Sequence, residues 1–168
     1  MSVKVPNPEF TQQVIDRGGD TVNLCFQCGT CTASCPSGRS TAFKTRQLVR
    51  KAQLGLKEDI LDSNDLWMCT TCYTCTERCP RGVEIVDIIM ALRNIASEEG
   101  HMFEDHKKVS RSLIENGHTV ALSDKYAQLR KDMGLPEKPP TVLSDEKSLA
   151  DFQKLMEITG FKKLVGGD

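Results

Sequence analysis

The chain has 168 residues, a formal net charge of −1 and only 5% aromatic side chains. Acidic and basic residues are balanced in both halves, which excludes the basic surface that nucleic-acid-binding proteins need for phosphate contacts. The first ten residues lack the apolar core of a signal peptide. Ile88–Leu92, the longest wholly apolar run near position 90, is far too short to span a membrane. These features predict a soluble cytoplasmic protein whose thiols stay reduced.

The predicted elements of the first hundred residues are helices that flank two cysteine-rich segments. Asn7, followed by Pro8, is a predicted N-cap, and Gly18 is expected to end this first helix. Ser40 or Thr41 is expected to cap a second helix. The inward positions of that helix are Phe43, Leu48, Val49 and Ala52, and Gly55 ends it.

The clearest helical pattern follows the second cysteine segment. Apolar residues recur there at the i, i+3, i+4, i+7 spacing of a helix with one buried face. Glu84 is expected in the first turn and Gly100 beyond the end, and a short turn or helix over Asp62–Met68 leads into the segment. The predicted inward residues are Ile85, Ile88, Ile89, Leu92, Ile95 and Ala96.

Residues 101–168 contain no cysteine and form a separate predicted region. Their patterns predict helices near 103–116, 124–133 and 144–159, followed by Gly117, Gly134 and Gly160. Ser144 with its acidic neighbours is the expected start of the last helix, and Lys138–Pro140 is the expected linker before it. Since no segment sustains the alternation of a β-strand, an all-α chain is predicted.

All eight cysteines lie in two segments that repeat with an offset of 44 residues, at 25, 28, 31, 35 and at 69, 72, 75, 79. Thiolates suit zinc, Cu(I) or iron–sulfur clusters. A structural zinc site commonly uses two CxxC pairs. Here each segment has three cysteines at intervals of three, then a fourth followed by proline, as in two-cluster ferredoxins. The pattern therefore predicts two [4Fe–4S] clusters and no remaining cysteine.

The expected ligand sets are crossed, because in two-cluster ferredoxins the fourth cysteine ligates the other cluster. One predicted set is Cys25, Cys28, Cys31 and Cys79, and the other is Cys69, Cys72, Cys75 and Cys35. Pro36 and Pro80 are expected to turn the chain away from the site. Gly29 can adopt conformations that direct backbone N–H groups at sulfur, and the intervening Thr and Ser residues are further candidate donors.

No dinucleotide, phosphate-loop or zinc-protease motif is present in the sequence. Two clusters without a substrate site predict electron transfer. Trp67 is expected to pack against the second site, while Arg78 and Arg81 are either solvated charges or a docking point for an acidic partner. The residues predicted to be surface or helix-capping histidines are His101, His106 and His118.

The helical spacing between the two segments resembles the α-helical ferredoxin domain of succinate dehydrogenase iron–sulfur subunits. Residues 23–39, NLCFQCGTCTASCPSGR, and 66–96, LWMCTTCYTCTERCPRGVEIVDIIMALRNIA, are similar to the C subunits of heterodisulfide reductases from methanogenic archaea. The tail 151–161 is similar to the same family. The resemblance implies a two-cluster α-helical ferredoxin domain over 1–100 and a helical extension over 101–168 that docks a partner.

The resemblance also implies a function. In that family the C subunit relays electrons from the flavin-containing iron–sulfur A subunit to the B subunit, which has CCG motifs. The B subunit reduces the mixed disulfide of coenzyme M and coenzyme B. A hydrogenase or formate dehydrogenase often belongs to the complex, and electron bifurcation occurs at the flavin. This chain would then be a non-catalytic electron-transfer subunit of a cytoplasmic oxidoreductase in an anaerobic archaeon, and only the eight cysteines carry over.

Three other functions stay open at this stage. One is an equivalent relay in another respiratory or sulfur-metabolism oxidoreductase, such as a glycerol-3-phosphate or lactate dehydrogenase. Another is a structural zinc-binding adaptor without a redox role. A stand-alone ferredoxin is the third, and the helical extension argues against it because a docking surface explains that extension better.

Overall fold

The computed structural model describes residues 5–120 and 123–166. Over these ranges the chain forms helices and helical turns, with no β-strand. The predicted all-α fold is therefore confirmed. The chain divides into two compact units, Met1–His101 and Met102–Asp168.

The first unit contains seven α-helices within its described residues. They are α1 Pro8–Val14, α2 Thr30–Ser34, α3 Ser37–Ser40, α4 Thr45–Gln53, α5 Lys57–Leu61, α6 Thr74–Glu77 and α7 Ile85–Glu98. A π-helical turn at Ile15–Gly19 and 3-10 turns at Asp20–Leu24 and Asn64–Met68 connect them.

Helix α1 begins where the sequence predicts. The Asn7 side chain accepts hydrogen bonds from the backbone N–H groups of Glu9 at 3.0 Å and Phe10 at 3.2 Å, so it satisfies donors that a helix start leaves without partners. The regular helix ends earlier than expected, at Val14, and the chain continues as the π-helical turn to Gly18, where φ is +99°.

The predicted cap of α4 is wrong. Helix α4 begins at Thr45, and its N-cap position makes no side-chain hydrogen bond. Ser40 instead ends the short helix α3, and Thr41 is extended. The Thr41 hydroxyl accepts from the Phe43 N–H at 3.2 Å and so supports the turn between the two helices. Helix α5 was not expected, because five residues are too few for a helical period to stand out.

Helix α7 forms the centre of the first unit. It packs against α1, α5, α6 and the helical turns that precede both cysteine segments. Burying each large aliphatic side chain contributes about 1.5–3 kcal/mol, so this helix dominates the core. Its buried residues are Ile85, Val86, Ile88, Ile89, Ala91, Leu92, Ile95 and Ala96, which include every inward position that the sequence predicts.

Gly55 ends α4 as predicted, with φ +64°. A Cβ atom there would lie 1.8 Å from the backbone oxygen of Asn7. We therefore expect Gly55→Ala to lower the free energy of unfolding by roughly 2–5 kcal/mol, through left-handed strain and a backbone clash. Gly100→Ala is the matched control, because φ is +86° but nothing lies within 4 Å of its Cβ position; strain alone costs about 1–2 kcal/mol. Anaerobic unfolding by denaturant measures the free energy of unfolding of both variants. Equal losses of stability in the two variants would contradict a clash between the introduced Cβ atom at position 55 and the Asn7 oxygen.

The second unit has four α-helices and one 3-10 turn in its described residues. They are α8 Glu104–Asn116, α9 Asp124–Asp132, the turn Val142–Ser144, α10 Glu146–Ile158 and α11 Phe161–Leu164. The three predicted helices are present, and Gly117, Gly134 and Gly160 follow them with positive φ. The short α11 was not expected.

The predicted start of α10 is off by one residue. Ser144 ends the 3-10 turn, and Asp145 is the N-cap, whose carboxylate accepts from the Ser148 N–H at 2.8 Å. Helix α10 packs against α8. Gln153 joins the two, since its amide donates to the backbone oxygens of Ile114 at 3.2 Å and Glu115 at 3.3 Å.

Candidate metal centre

Four cysteines line a first cavity. Three of them follow one another in the first segment, on the loop before α2 and in α2 itself, and the fourth comes from the second segment. The cysteines are Cys25, Cys28, Cys31 and Cys79. Arg46, Arg81 and Ile85 complete much of the remaining lining.

The other four cysteines line a second cavity. Again three come from one segment, here the second, and one comes from the other. The cysteines are Cys69, Cys72, Cys75 and Cys35. The fold thus groups each set of three with the last cysteine of the opposite segment, which is the grouping that the crossed expectation names. Pro36 lies beside the second cavity and Pro80 beside the first.

The backbone of the two cysteine loops repeats the same unusual conformation. Gln27 and Thr71, which are 44 residues apart, have φ +67° and +51°. Gly29 and Tyr73, also 44 apart, have φ +90° and +60°. Left-handed backbone costs a residue with a side chain about 1–2 kcal/mol, and β-branched Thr71 is especially unfavourable. Within the described residues, no non-glycine residue outside these loops has positive φ.

Backbone N–H groups donate to three of the cysteine sulfur atoms, one from the second loop and two from residues that follow the fourth cysteine of each segment. Such donors stabilise a thiolate and tune the electronics of a metal bound to it. Only Gly29 was recognisable from the sequence, because Tyr73 and Thr71 carry no signal for left-handed backbone. The N–H to Sγ contacts are Thr71 to Cys69 at 3.4 Å, Gly38 to Cys35 at 3.4 Å and Val83 to Cys79 at 3.3 Å.

One cysteine in each cavity faces solvent, and a threonine hydroxyl accompanies it. Cys28 and Cys72 are exposed. Thr30 Oγ1 lies 3.3 Å from Cys28 Sγ, and this contact lowers the pKa of that thiol. Thr74 Oγ1 lies 3.5 Å from Cys72 Sγ and lowers its pKa in the same way. Both hydroxyls therefore lie where they can donate to a thiolate, the form that binds metal.

A buried cysteine of α2 or α6 lies on the inner side of each cavity, and Cys35 is a second buried cysteine of the second cavity. Burial raises the pKa of the Cys31 thiol. Burial also raises the pKa of Cys75, to about 11, and negative charge on Cys69 and Cys31 adds to the effect. Helices α2 and α6, which carry Cys31 and Cys75, pack against each other. The two cavities are thus neighbours through their buried sides.

The chemistry of each lining suits an anionic, sulfur-ligated group. Four thiols line each space. The Val83 N–H and the Gln27 amide donate to sulfur at the first cavity, the Gly38 and Thr71 N–H groups do so at the second, and Thr45 lines the second cavity. The Thr45 hydroxyl is buried and has no hydrogen-bond partner among the described residues, so a sulfur acceptor in the cavity would satisfy it. Over the same residues no three His, Cys, Asp or Glu side chains converge closely enough to hold a single metal ion.

Arg93 is a residue of the second site that the sequence did not reveal. Its Nε donates to the Leu66 oxygen at 3.1 Å, and its Nη2 donates to the Cys69 oxygen at 2.6 Å. The guanidinium lies over the Trp67 ring, 5.6 Å from the centroid. Trp67 packs on the core, and neither Trp67 nor Arg93 lines the second cavity. Arg93 contacts both the Trp67 ring and the Cys69 loop. The sequence signal that could have pointed to Arg93 is its position between the buried residues Leu92 and Ile95, where it is the one cationic side chain.

The remaining candidate residues have smaller parts. Arg78 donates to the Ser34 hydroxyl at 3.2 Å, and exposed Arg81 borders the first cavity. Neither cysteine cavity has a histidine among the described residues that line it. His101 Nδ1 lies 3.2 Å from an Asp62 carboxylate oxygen. His106 is exposed and its ring lies beside Phe103, whereas the His118 backbone oxygen accepts from Ser112.

Comparison with known proteins decides the family. Residues 21–83, which include all eight cysteines, match the family described as "4Fe-4S dicluster domain". The chain is 51% identical over 148 residues to the iron–sulfur C subunit of the CoB–CoM heterodisulfide reductase of Methanopyrus kandleri, covering 88% of this chain and 77% of that protein. The chain belongs to the family of heterodisulfide reductase C subunits.

Two further relatives extend the comparison over nearly all of the chain. The C subunit of the H2:CoB–CoM heterodisulfide, ferredoxin reductase of Methanothermobacter marburgensis is 49% identical over 158 residues, covering 94% of this chain and 85% of the relative. The C2 subunit of the H2/formate:CoB–CoM heterodisulfide, ferredoxin reductase of Methanococcus maripaludis is 42% identical over 176 residues, covering 100% and 95%.

These findings confirm the expected membership of the C-subunit family and the helical ferredoxin fold. As a member of that family with a dicluster domain, the chain is an iron–sulfur protein. In the part of the chain that the structure describes, every helix is too short or too polar to cross a bilayer.

Proposed function

We propose that this chain is the electron-transfer subunit of a heterodisulfide reductase and holds two [4Fe–4S] clusters. The observation that carries the proposal is the pair of neighbouring cavities, each lined by four cysteines. In the proposed assignment the sets are Cys25, Cys28, Cys31 and Cys79 for one cluster, and Cys69, Cys72, Cys75 and Cys35 for the other. When bound, such clusters take up and release electrons one at a time.

The chain's own residues give each site an inner and an outer side. Buried Cys31 and Cys75 lie on α2 and α6, which pack against each other, and so form the inner side of each site. Exposed Cys28 and Cys72 leave an outer edge on each. The N–H groups that donate to sulfur support the thiolate charge without adding a group that reacts. This arrangement favours electron transfer over chemistry on a substrate, so we propose that the chain is non-catalytic.

The proposed partners are two other components of the reductase. One is the flavin-containing iron–sulfur A subunit, and the other is the CCG-motif B subunit, which reduces the coenzyme M–coenzyme B disulfide. Electrons are proposed to pass from the flavin protein through this chain to the CCG-motif protein. The names of the relatives support this proposal, because they are C subunits of CoB–CoM heterodisulfide reductases. The name of the Methanococcus maripaludis relative includes H2 and formate, which supports a hydrogenase or formate dehydrogenase as a further component.

The alternatives carry less support. A relay in a glycerol-3-phosphate or lactate dehydrogenase would use the same two sites, but the relatives over most of the chain are heterodisulfide reductase subunits. A structural zinc adaptor would use cysteines too, but the matching family is described as a 4Fe-4S dicluster domain.

Anaerobic affinity purification of the tagged chain from its native extract tests the function. We expect a brown eluate that contains iron and sulfide, a flavoprotein and a CCG-motif protein, and that reduces the coenzyme M–coenzyme B disulfide. An extract with the untagged chain is the control. A brown eluate with another dehydrogenase would replace the proposed complex, and a colourless eluate that contains zinc would overturn the redox role.

A further inference from the structure

The first cysteine loop is fixed by a side-chain amide from α4. Gln53 Nε2 donates to the backbone oxygen of Val22 at 3.0 Å and to that of Cys25 at 2.8 Å. Its Oε1 is in turn an acceptor for Gln27 at 3.3 Å and Arg50 at 3.3 Å. A single side chain thus joins the turn before the segment to its first cysteine. We name this arrangement, one side chain donating to two loop oxygens, the carbonyl clamp.

The second cysteine loop has a carbonyl clamp of its own, made by Arg93 of α7. Arg93 donates to the oxygens of Leu66 and Cys69. These residues are 44 positions after Val22 and Cys25, so the two clamps hold equivalent atoms of the repeat.

The clamp residues themselves do not obey the repeat. Gln53 and Arg93 are 40 positions apart and come from different points of their helices, the last residue of α4 and the middle of α7. Alignment of the two segments therefore does not pair them. The structure pairs them through their acceptors, and it shows that one clamp is neutral and the other carries a positive charge.

The charge of Arg93 acts in a partly dehydrated place. The guanidinium is half-buried, with the Trp67 ring on one face. Burial lowers the pKa of Arg93 and negative charge on Cys69 raises it, but a guanidinium remains charged in proteins. Half-buried Arg46 and exposed Arg81 border the first cavity, so that cavity also has positive charge nearby. The effect of the Arg93 charge on a reduction potential must therefore be measured by substituting Arg93, because a comparison of the two sites would not isolate it.

We propose that Arg93 is a positioning residue that fixes the Cys69 loop and, through its charge, raises the reduction potential of the cluster in the second cavity. Gln53 performs the same mechanical task at the first cavity without a charge. Reduction adds one electron and hence one negative charge to a cluster, which a nearby cation stabilises. The inference rests on the proposed function, because it needs both cysteine sets to hold clusters.

The test is a redox titration of the full chain, followed by electron paramagnetic resonance, on variants of the clamp. Arg93→Gln makes the second clamp resemble the first. We expect one of the two midpoint potentials to fall, by about tenfold in the reduction equilibrium constant, which is about 59 mV for one electron. Arg93→Lys keeps the charge and should restore most of the potential. Lys147→Gln removes an exposed charge of the second unit that takes no part in either clamp and should leave both potentials unchanged, since solvent screens it.

Gln53→Lys is an independent second variant. It adds a charge at the neutral clamp, so the other midpoint potential should rise, and this result is informative even if Arg93→Gln does not load its clusters. Iron and sulfide contents are measured on every sample. Two loaded clusters with unchanged potentials, or an equal fall in Arg93→Gln and Arg93→Lys, would overturn the role of the charge. A wild-type chain that does not hold two clusters would overturn the proposed function instead.

Discussion

Replacing Cys79 together with Cys25 by alanine should leave one cluster in the chain, whereas replacing Cys79 together with Cys69 should remove both. In the crossed assignment Cys79 and Cys25 serve the same cluster, so the second cavity keeps all four ligands. The other pair takes one ligand from each cavity. Anaerobic iron and sulfide analysis should find about four iron atoms per chain in the first variant and nearly none in the second.

The reciprocal variants are the matched control for this experiment. Replacing both Cys35 and Cys69 by alanine should spare one cluster. Replacing both Cys35 and Cys25 by alanine should spare none. If each segment instead binds its own cluster, all four outcomes are reversed. The comparison is internal, because every variant lacks two cysteines and differs only in which cavity loses them.

Complete removal of the clusters should unfold much of the first unit. Two cavities border the apolar core, and the loops around them contain three non-glycine residues in left-handed backbone, Gln27, Thr71 and Tyr73. Each costs about 1–2 kcal/mol, and only the surrounding structure keeps it in place. Since metal binding then contributes directly to folding, the loss removes a stabilisation that the core does not replace.

Chelation under anaerobic conditions, followed by circular dichroism and hydrogen exchange, measures this effect. We expect a large loss of helical signal and of amide protection in residues 5–101, with recovery when iron and sulfide are restored. A native-like helical spectrum after all iron has been removed would show that the apolar core is sufficient without the clusters.

The helices were predictable where one residue carried a strong local signal. Asn7 before Pro8, the buried stripe of α7 and the glycine after α8 each specify their element through capping, periodicity or left-handed backbone. The α4 start was not, because Ser40 and Thr41 are both good caps by composition but lie in or next to the short helix α3. Residue preferences for the N-cap position do not indicate which of two neighbouring turns a given hydroxyl stabilises.

The candidate site was predictable to the level of its cysteines and little further. The spacing of the eight cysteines indicates clusters because it fits a known ligand geometry. The carbonyl clamps could not be found in the same way, since Gln53 and Arg93 act from helices and meet backbone oxygens that look alike in any sequence. Tyr73 shows a similar limit: its left-handed backbone is imposed by the loop around it, not by its own side chain.

Each site has a buried cysteine, Cys31 or Cys75, and an exposed one, Cys28 or Cys72. This difference in exposure has a consequence for the sensitivity of the protein to dioxygen. In the proposed electron-transfer role, the protein would shield the inner side of each site and leave its outer edge exposed to solvent. The exposed outer edges at Cys28 and Cys72 permit electron transfer to a bound protein, but they are also accessible to dioxygen. The chain on its own is therefore expected to be damaged from its two outer edges inward, and binding of a partner over each edge would serve as insulation as well as connection.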